Sequence, residues 1–150
     1  MKVSEKEREL LAPEVAAFAV ALHDPAARAR YEAVGLAVAE GEVSDDLAEG
    51  LAAVLEVGLL NGRFRRLHGP EGEQTLQRVY QRTPAGAARA AEAAEVTKAL
   101  AALQGHVIQE ISISTAGPGG YSLTIDTDRC EINVRLDRGG VRVNSVEIGV

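Results

Sequence analysis

The chain predicts an α+β protein: an N-terminal helical half of four to five helices, then an Ala-rich helix packed on a C-terminal four-stranded antiparallel meander. Three observations carry that expectation. Apolar residues recur at helical spacing up to Leu60, and a capping residue precedes most of the runs. From Val107 the apolar period changes from helical to two. Glycine-rich or Asp-containing turns then separate four alternating segments. The expected division is 1–82 for the helical half and 83–150 for the helix and sheet, packed as one compact unit.

Ser4 and Glu7 form a capping-box pattern ahead of Leu10 and Leu11. Pro13 should interrupt or restart that helix, because it lacks an amide donor and disfavours helical geometry at Ala12. Val15, Phe18, Ala19 and Leu22 continue one face, with a stop expected near His23. Asp24 with Pro25 reads as an N-cap followed by a first-turn proline. Ala27, Tyr31, Val34 and Val38 follow at helical spacing up to Gly41. Ser44 is the next cap, with Asp45 and Asp46 where the helix dipole favours acids. Leu47, Leu51, Val54, Leu55 and Leu59 make the clearest apolar stripe, closed by Asn61-Gly62. Gly35 and Gly50 inside these helices cost about 1 kcal/mol each relative to Ala, which points to close helix crossings or to tolerated glycines.

Residues 63–82 allow two conformations. As a helix from Pro70, Leu76, Val79 and Tyr80 share a face. As a hairpin, Arg63–His68 and Thr75–Thr83 would be strands around Gly69-Pro70-Glu71-Gly72. The Gln, Glu and Arg content leans to the helix. Thr83-Pro84 then opens an Ala-rich helix ending near Gln104, whose larger apolar residues, Val96, Leu100 and Leu103, form a narrow stripe. A helix this smooth can lie close to a sheet or to a second copy of itself.

In the last third, Ile111 and Ile113 alternate with Ser112 and Ser114, and Gly117-Pro118-Gly119-Gly120 turns. Tyr121, Leu123 and Ile125 form the second alternating run; Ile132, Val134 and Leu136 form the third. Val141 and Val143 lead to Val146 and Ile148, and the alternation slips at Asn144-Ser145, which predicts a bulge. Short connections make the sheet an antiparallel meander with one apolar face, to be covered by the Ala-rich helix.

The charge is unevenly spread. Residues 1–62 carry five Lys/Arg against twelve Asp/Glu, while 63–82 carry five Arg against two Glu, within a total of −6. Arg63, Arg65, Arg66, Arg78 and Arg82 are therefore the candidate binding patch, for a phosphate or an acidic partner; a solvated face balanced by the acidic helices is the competing reading. No apolar run is long enough to span a bilayer, and the single Cys130 excludes an intramolecular disulfide, so a cytoplasmic location with no membrane is expected. His23, His68 and His106 lack partners at metal-ligand spacing, Asp126 and Asp128 suit a turn, and the glycine run at 117–120 is not a phosphate loop. Cys130 falls in the apolar phase of its strand and is expected to be a buried thiol. No catalytic constellation, metal site or cofactor is expected.

Three segments carry a resemblance. Ala21-Leu22-His23-Asp24-Pro25 with Arg28, Leu55-Glu56-Val57-Gly58-Leu59-Leu60, and Tyr80-Gln81-Arg82-Thr83-Pro84-Ala85-Gly86 resemble bacterial winged-helix transcription regulators of the ArsR, PadR and MarR type. The resemblance implies a wing hairpin at 63–82 with arginines on DNA phosphates, and a dimerising helix at 84–104. At the position of the helix that would enter the major groove, however, stand Asp45, Asp46, Glu49 and Glu56 with no Lys or Arg, a face that repels DNA. The function expected is thus a non-catalytic regulatory or protein-interaction module acting as a homodimer or with a protein partner, the alternative being a divergent winged-helix DNA-binding regulator.

Overall fold

The structure, a computed structural model, describes residues 1–149. Five helices precede a four-stranded antiparallel sheet. The chain forms two compact units, residues 1–87 and the residues from Ala88 onward.

The first unit is built from α1 (Glu5–Ala21), α2 (Pro25–Glu40), α3 (Asp45–Leu60) and α4 (Arg63–Arg82). The expected caps of α1 and α2 are formed, whereas Ser44 stands at the N-cap of α3 without a side-chain bond. The Ser4 hydroxyl accepts from Glu7 N while Glu7 accepts from Ser4 N, and Asp24 accepts from Ala27 N. Gly41 leaves α2 at φ 83°, a left-handed geometry natural to glycine. Leu11, Val15, Val34, Val38, Leu51, Leu55, Phe64, Leu76 and Val79 are all buried in one core. A short extended pairing closes it, with Val3 N donating to Gly41 O and Val43 N to Met1 O.

Two expectations about this unit are corrected. Pro13 does not interrupt α1, which runs unbroken past it. The loss of one backbone bond, about 3 kcal/mol, is outweighed because Leu11, Glu14, Val15 and Ala19 on both sides of the proline are buried along one line. The hairpin alternative for 63–82 is not adopted. The segment is helical, broken only at Gly69 (φ 67°, ψ −177°), so that a short N-terminal turn precedes a helix opened by Pro70. Phe64, Leu76 and Val79 are buried, and this apolar face on α3 and α1 rewards a helix rather than a projecting ribbon.

The internal glycines split. A Cβ on Gly50 would lie 3.0 Å from Val34 Cγ2, which marks a close crossing of α2 and α3, whereas one on Gly35 would make an ordinary 3.6 Å contact. The tightest position is Gly58, where the Phe64 ring occupies the space a Cβ would need.

The second unit contains the main length of α5 (Pro84–Leu100), a 3₁₀ turn (Ala101–Leu103) and strands β1 (Ile108–Thr115), β2 (Tyr121–Thr127), β3 (Cys130–Asp137) and β4 (Gly140–Ile148). Strand order is β1-β2-β3-β4. The bulge predicted in β4 is present: Asn133 pairs with Ser145 and Val134 with Val143, leaving Asn144 extra. Val96, Leu100 and Leu103 pack on Ile132 and Val134 with Leu123, Val141 and Val143 at the margin. The expected cover is therefore real but partial, because all of β1 stays exposed.

Candidate functional site

The five arginines fall in two groups along α4. Arg63, Arg65 and Arg66 lie before the Gly69 break and Arg78 and Arg82 at the far end of α4.

Two of the five are braces. Arg63 Nε donates to Glu14 Oε2 at 2.6 Å, and His68 Nε2 sits 2.9 Å from Glu14 Oε1. Glu14 is only 5% exposed, so both carboxylate oxygens are engaged where an unpaired charge would be costly. Arg82 donates to Glu7 Oε1 at 2.6 Å and to Lys2 O at 3.0 Å. Burial acts to raise the Glu7 pKa, but the Ser4 N–H and the Arg82 guanidinium together hold it below the ordinary glutamate value. The other three make looser contacts: Arg66 to Asn61 O at 3.0 Å, Arg65 to Glu73 at 3.5 Å and Arg78 to Thr75 Oγ1 at 3.5 Å.

Glu14 was not singled out by sequence reasoning. Its signal was position: it falls beside Leu11, Val15 and Phe18 on the buried side of α1. A second missed pairing is Cys130 Sγ with His106 Nδ1 at 3.7 Å; the thiol also lies 3.5 Å from Thr127 Oγ1. Cys130 is half-buried rather than fully buried as expected. Its half-burial follows from its place at the start of β3, opposite the exposed Ile148. Among the described residues no group of three His, Cys, Asp or Glu is placed to hold a metal ion. Asp128 lies in the bend between β2 and β3, and its Oδ1 accepts a long-range bond from Val107 N at 3.0 Å rather than a local turn bond.

The sheet separates its charges by face. On one face the register places Glu110, Asp126, Glu131 and Glu147 in a row across all four strands. The next row is Ser112, Thr124, Asn133 and Ser145, and the third ends on Arg135 and Arg142. Asn133 bonds Thr124 and Ser122, each at 2.8 Å. Asp137 holds Arg135 at 3.2 Å and Arg142 at 3.1 Å. The Gly139 N–H, the largest influence, together with these two guanidiniums keeps the Asp137 pKa below its ordinary value. A hollow of about 200 Å³ over Glu110, Ser112, Thr124, Asp126 and Glu131 is open to solvent.

The other face carries no charged side chain along its three rows. These run Ile111–Ile125–Ile132–Val146, Ile113–Leu123–Val134–Val143 and Thr115–Tyr121–Leu136–Val141. α5 buries the middle of these rows. Ile111 is left 59% exposed, Ile113 68% and Tyr121 52%. Isolated apolar side chains in water are ordinary, whereas these three lie together on one face. Comparison of the chain with protein-family models, with curated proteins and with solved structures returns no match.

Proposed function

We propose that the chain is a non-catalytic protein-interaction module of regulatory type, working in a reducing cytoplasm. The observation that carries this is the uncharged, incompletely covered apolar face of the sheet. The side chains of its three rows fit a protein surface: apart from the hydroxyls of Thr115 and Tyr121 they carry no polar group. The arginines of α4 support the same reading. Arg63 and Arg82, the two most firmly held, serve to fix α4 on α1. A single Cys130 half-buried beside His106 is compatible with a reducing compartment.

The test is in-cell crosslinking of the wild type against Ile113→Lys, with circular dichroism to establish that the variant is folded. The proposal predicts at least one specific protein crosslink, to another chain or to a second copy, that the variant loses. An identical crosslink pattern would contradict it. So would turnover that depends on a single Asp, His or Cys. Duplex DNA binding at low salt that weakens steeply with added salt, and more weakly so for Arg65→Ala, would favour the DNA-binding alternative instead.

A further inference from the structure

Four strands spaced about 4.8 Å apart make a sheet roughly 15–20 Å wide, and one helix with its side chains covers about 10 Å of that width. α5 follows β3. Near one end Arg89 donates to the Arg138 carbonyl, and near the other His106 meets Cys130. The sheet therefore lacks one helix, over β1 and β2. That is where Ile111, Ile113 and Tyr121 stand in water.

The same unit has a helix face with nothing on it. Ala90, Ala94, Thr97 and Ala101 are exposed and recur at steps of four, three and four, so they form one line along α5 and into the 3₁₀ turn. The line lies away from Val96 and Leu100, which face the sheet. Thr97 Oγ1 already donates to Ala93 O at 2.8 Å, so covering the line leaves no hydroxyl unsatisfied. Glu92 and Glu95 fall on the other side of the helix, and Lys98 borders the line with a stem that can lie along a rim.

We infer that a second copy of the chain fills the missing helix position: the Ala90–Ala94–Thr97–Ala101 line of each α5 lies on the Ile111–Ile113–Tyr121 flank of the other copy's sheet. The inference rests on the interaction-module reading and names the partner. Three features select a second copy. Each copy leaves β1 and β2 without a helix and bares one helix face, so a two-fold pairing supplies both needs at once, while Val146 and Ile148 on the β4 side stay outside the contact. Bulky Ile and Tyr meet a flat alanine surface, which permits close approach. No charge lies on the sheet face or in the alanine line, so self-association opposes no like charges. A charged partner, in contrast, would gain nothing there.

Sedimentation velocity of the full chain tests this, with Ala94→Arg, Ile113→Lys and, on the opposite sheet face, Ser112→Arg. Ala94 and Ile113 are exposed, and Arg is a good helix former, so the folds survive and circular dichroism checks them. The expected result is a wild-type dimer at micromolar concentration, association at least about tenfold weaker in each of the first two variants, and no change in the third. In a Cys130→Ser background, Ala94→Cys mixed with Ile113→Cys should give the mixed disulfide under copper–phenanthroline oxidation. A monomeric wild type, a Ser112→Arg effect as large as the others, or only like-with-like disulfides would overturn the inference. If the wild type is monomeric while Ile113→Lys still loses a crosslinked protein in cells, self-association falls and the interaction module stands. If the wild type is monomeric and no crosslink is lost, both fall.

Discussion

Arg63 illustrates how a residue's role depends on its partner. As one of five arginines in a basic stretch it reads as a ligand-binding group; in the folded chain it neutralises the buried Glu14. The distinction is measurable. Arg63→Ala leaves a buried carboxylate with His68 alone and should cost about 1–3 kcal/mol, seen as a lower urea midpoint. An unchanged midpoint would return Arg63 to the list of free surface charges. Glu7 gives a pH signature. Its folded pKa lies below the ordinary glutamate value, so its contribution is present above the unfolded value and lost as pH falls through the folded one. Arg82→Ala should therefore shrink the acid-side loss of stability in a pH series of thermal melts. An equally steep acid limb would contradict the Glu7–Arg82 assignment. Gly58→Ala places a methyl in the space of the Phe64 ring, an overpacking that costs about 1–3 kcal/mol. A melting temperature equal to wild type would show that Phe64 has another place to go.

Among the elements, those written in local chemistry were legible in the sequence. The Ser4–Glu7 box, the Asp24-Pro25 start, the Gly41 stop and the four alternating strands with a bulge at Asn144 all stand where cap and period rules put them. The elements decided by packing were less legible. Pro13 is carried through α1 by burial on both sides, and 63–82 is helical because Phe64, Leu76 and Val79 have a core to enter. The candidate sheet flank was half visible: alternation marked its apolar face, but nothing local says how far one helix reaches across four strands. The acidic row was not visible at all, since Glu110, Asp126, Glu131 and Glu147 meet only through register. Like charges directly opposite are destabilising. Glu131→Gln should therefore stabilise the chain by roughly 0.2–1 kcal/mol, and added salt should raise the wild-type melting temperature more than the variant's. A loss of stability on that substitution would mean the row is held by something it binds.

At the scale of the molecule, the best-held ion pairs lie within each unit, the acidic row of the sheet stays unpaired among the described residues, and part of the apolar surface is bare. The ionic contacts of α4 and the Asn133 and Asp137 networks of the sheet satisfy themselves internally. The apolar surface left open includes the uncharged flank of β1 and β2 and the alanine line of α5, together with Val146 and Ile148 on β4 and Val20 and Leu36 in the first unit. These bare apolar faces carry the interaction-module proposal. Hydrogen–deuterium exchange of the intact chain, at dilute and at concentrated protein, tests this most directly. The account predicts that amides of 108–115 and of 90–101 gain protection together as concentration rises, while those of α2 and α3 do not change. Exchange in 108–115 that is fast and independent of concentration would contradict it.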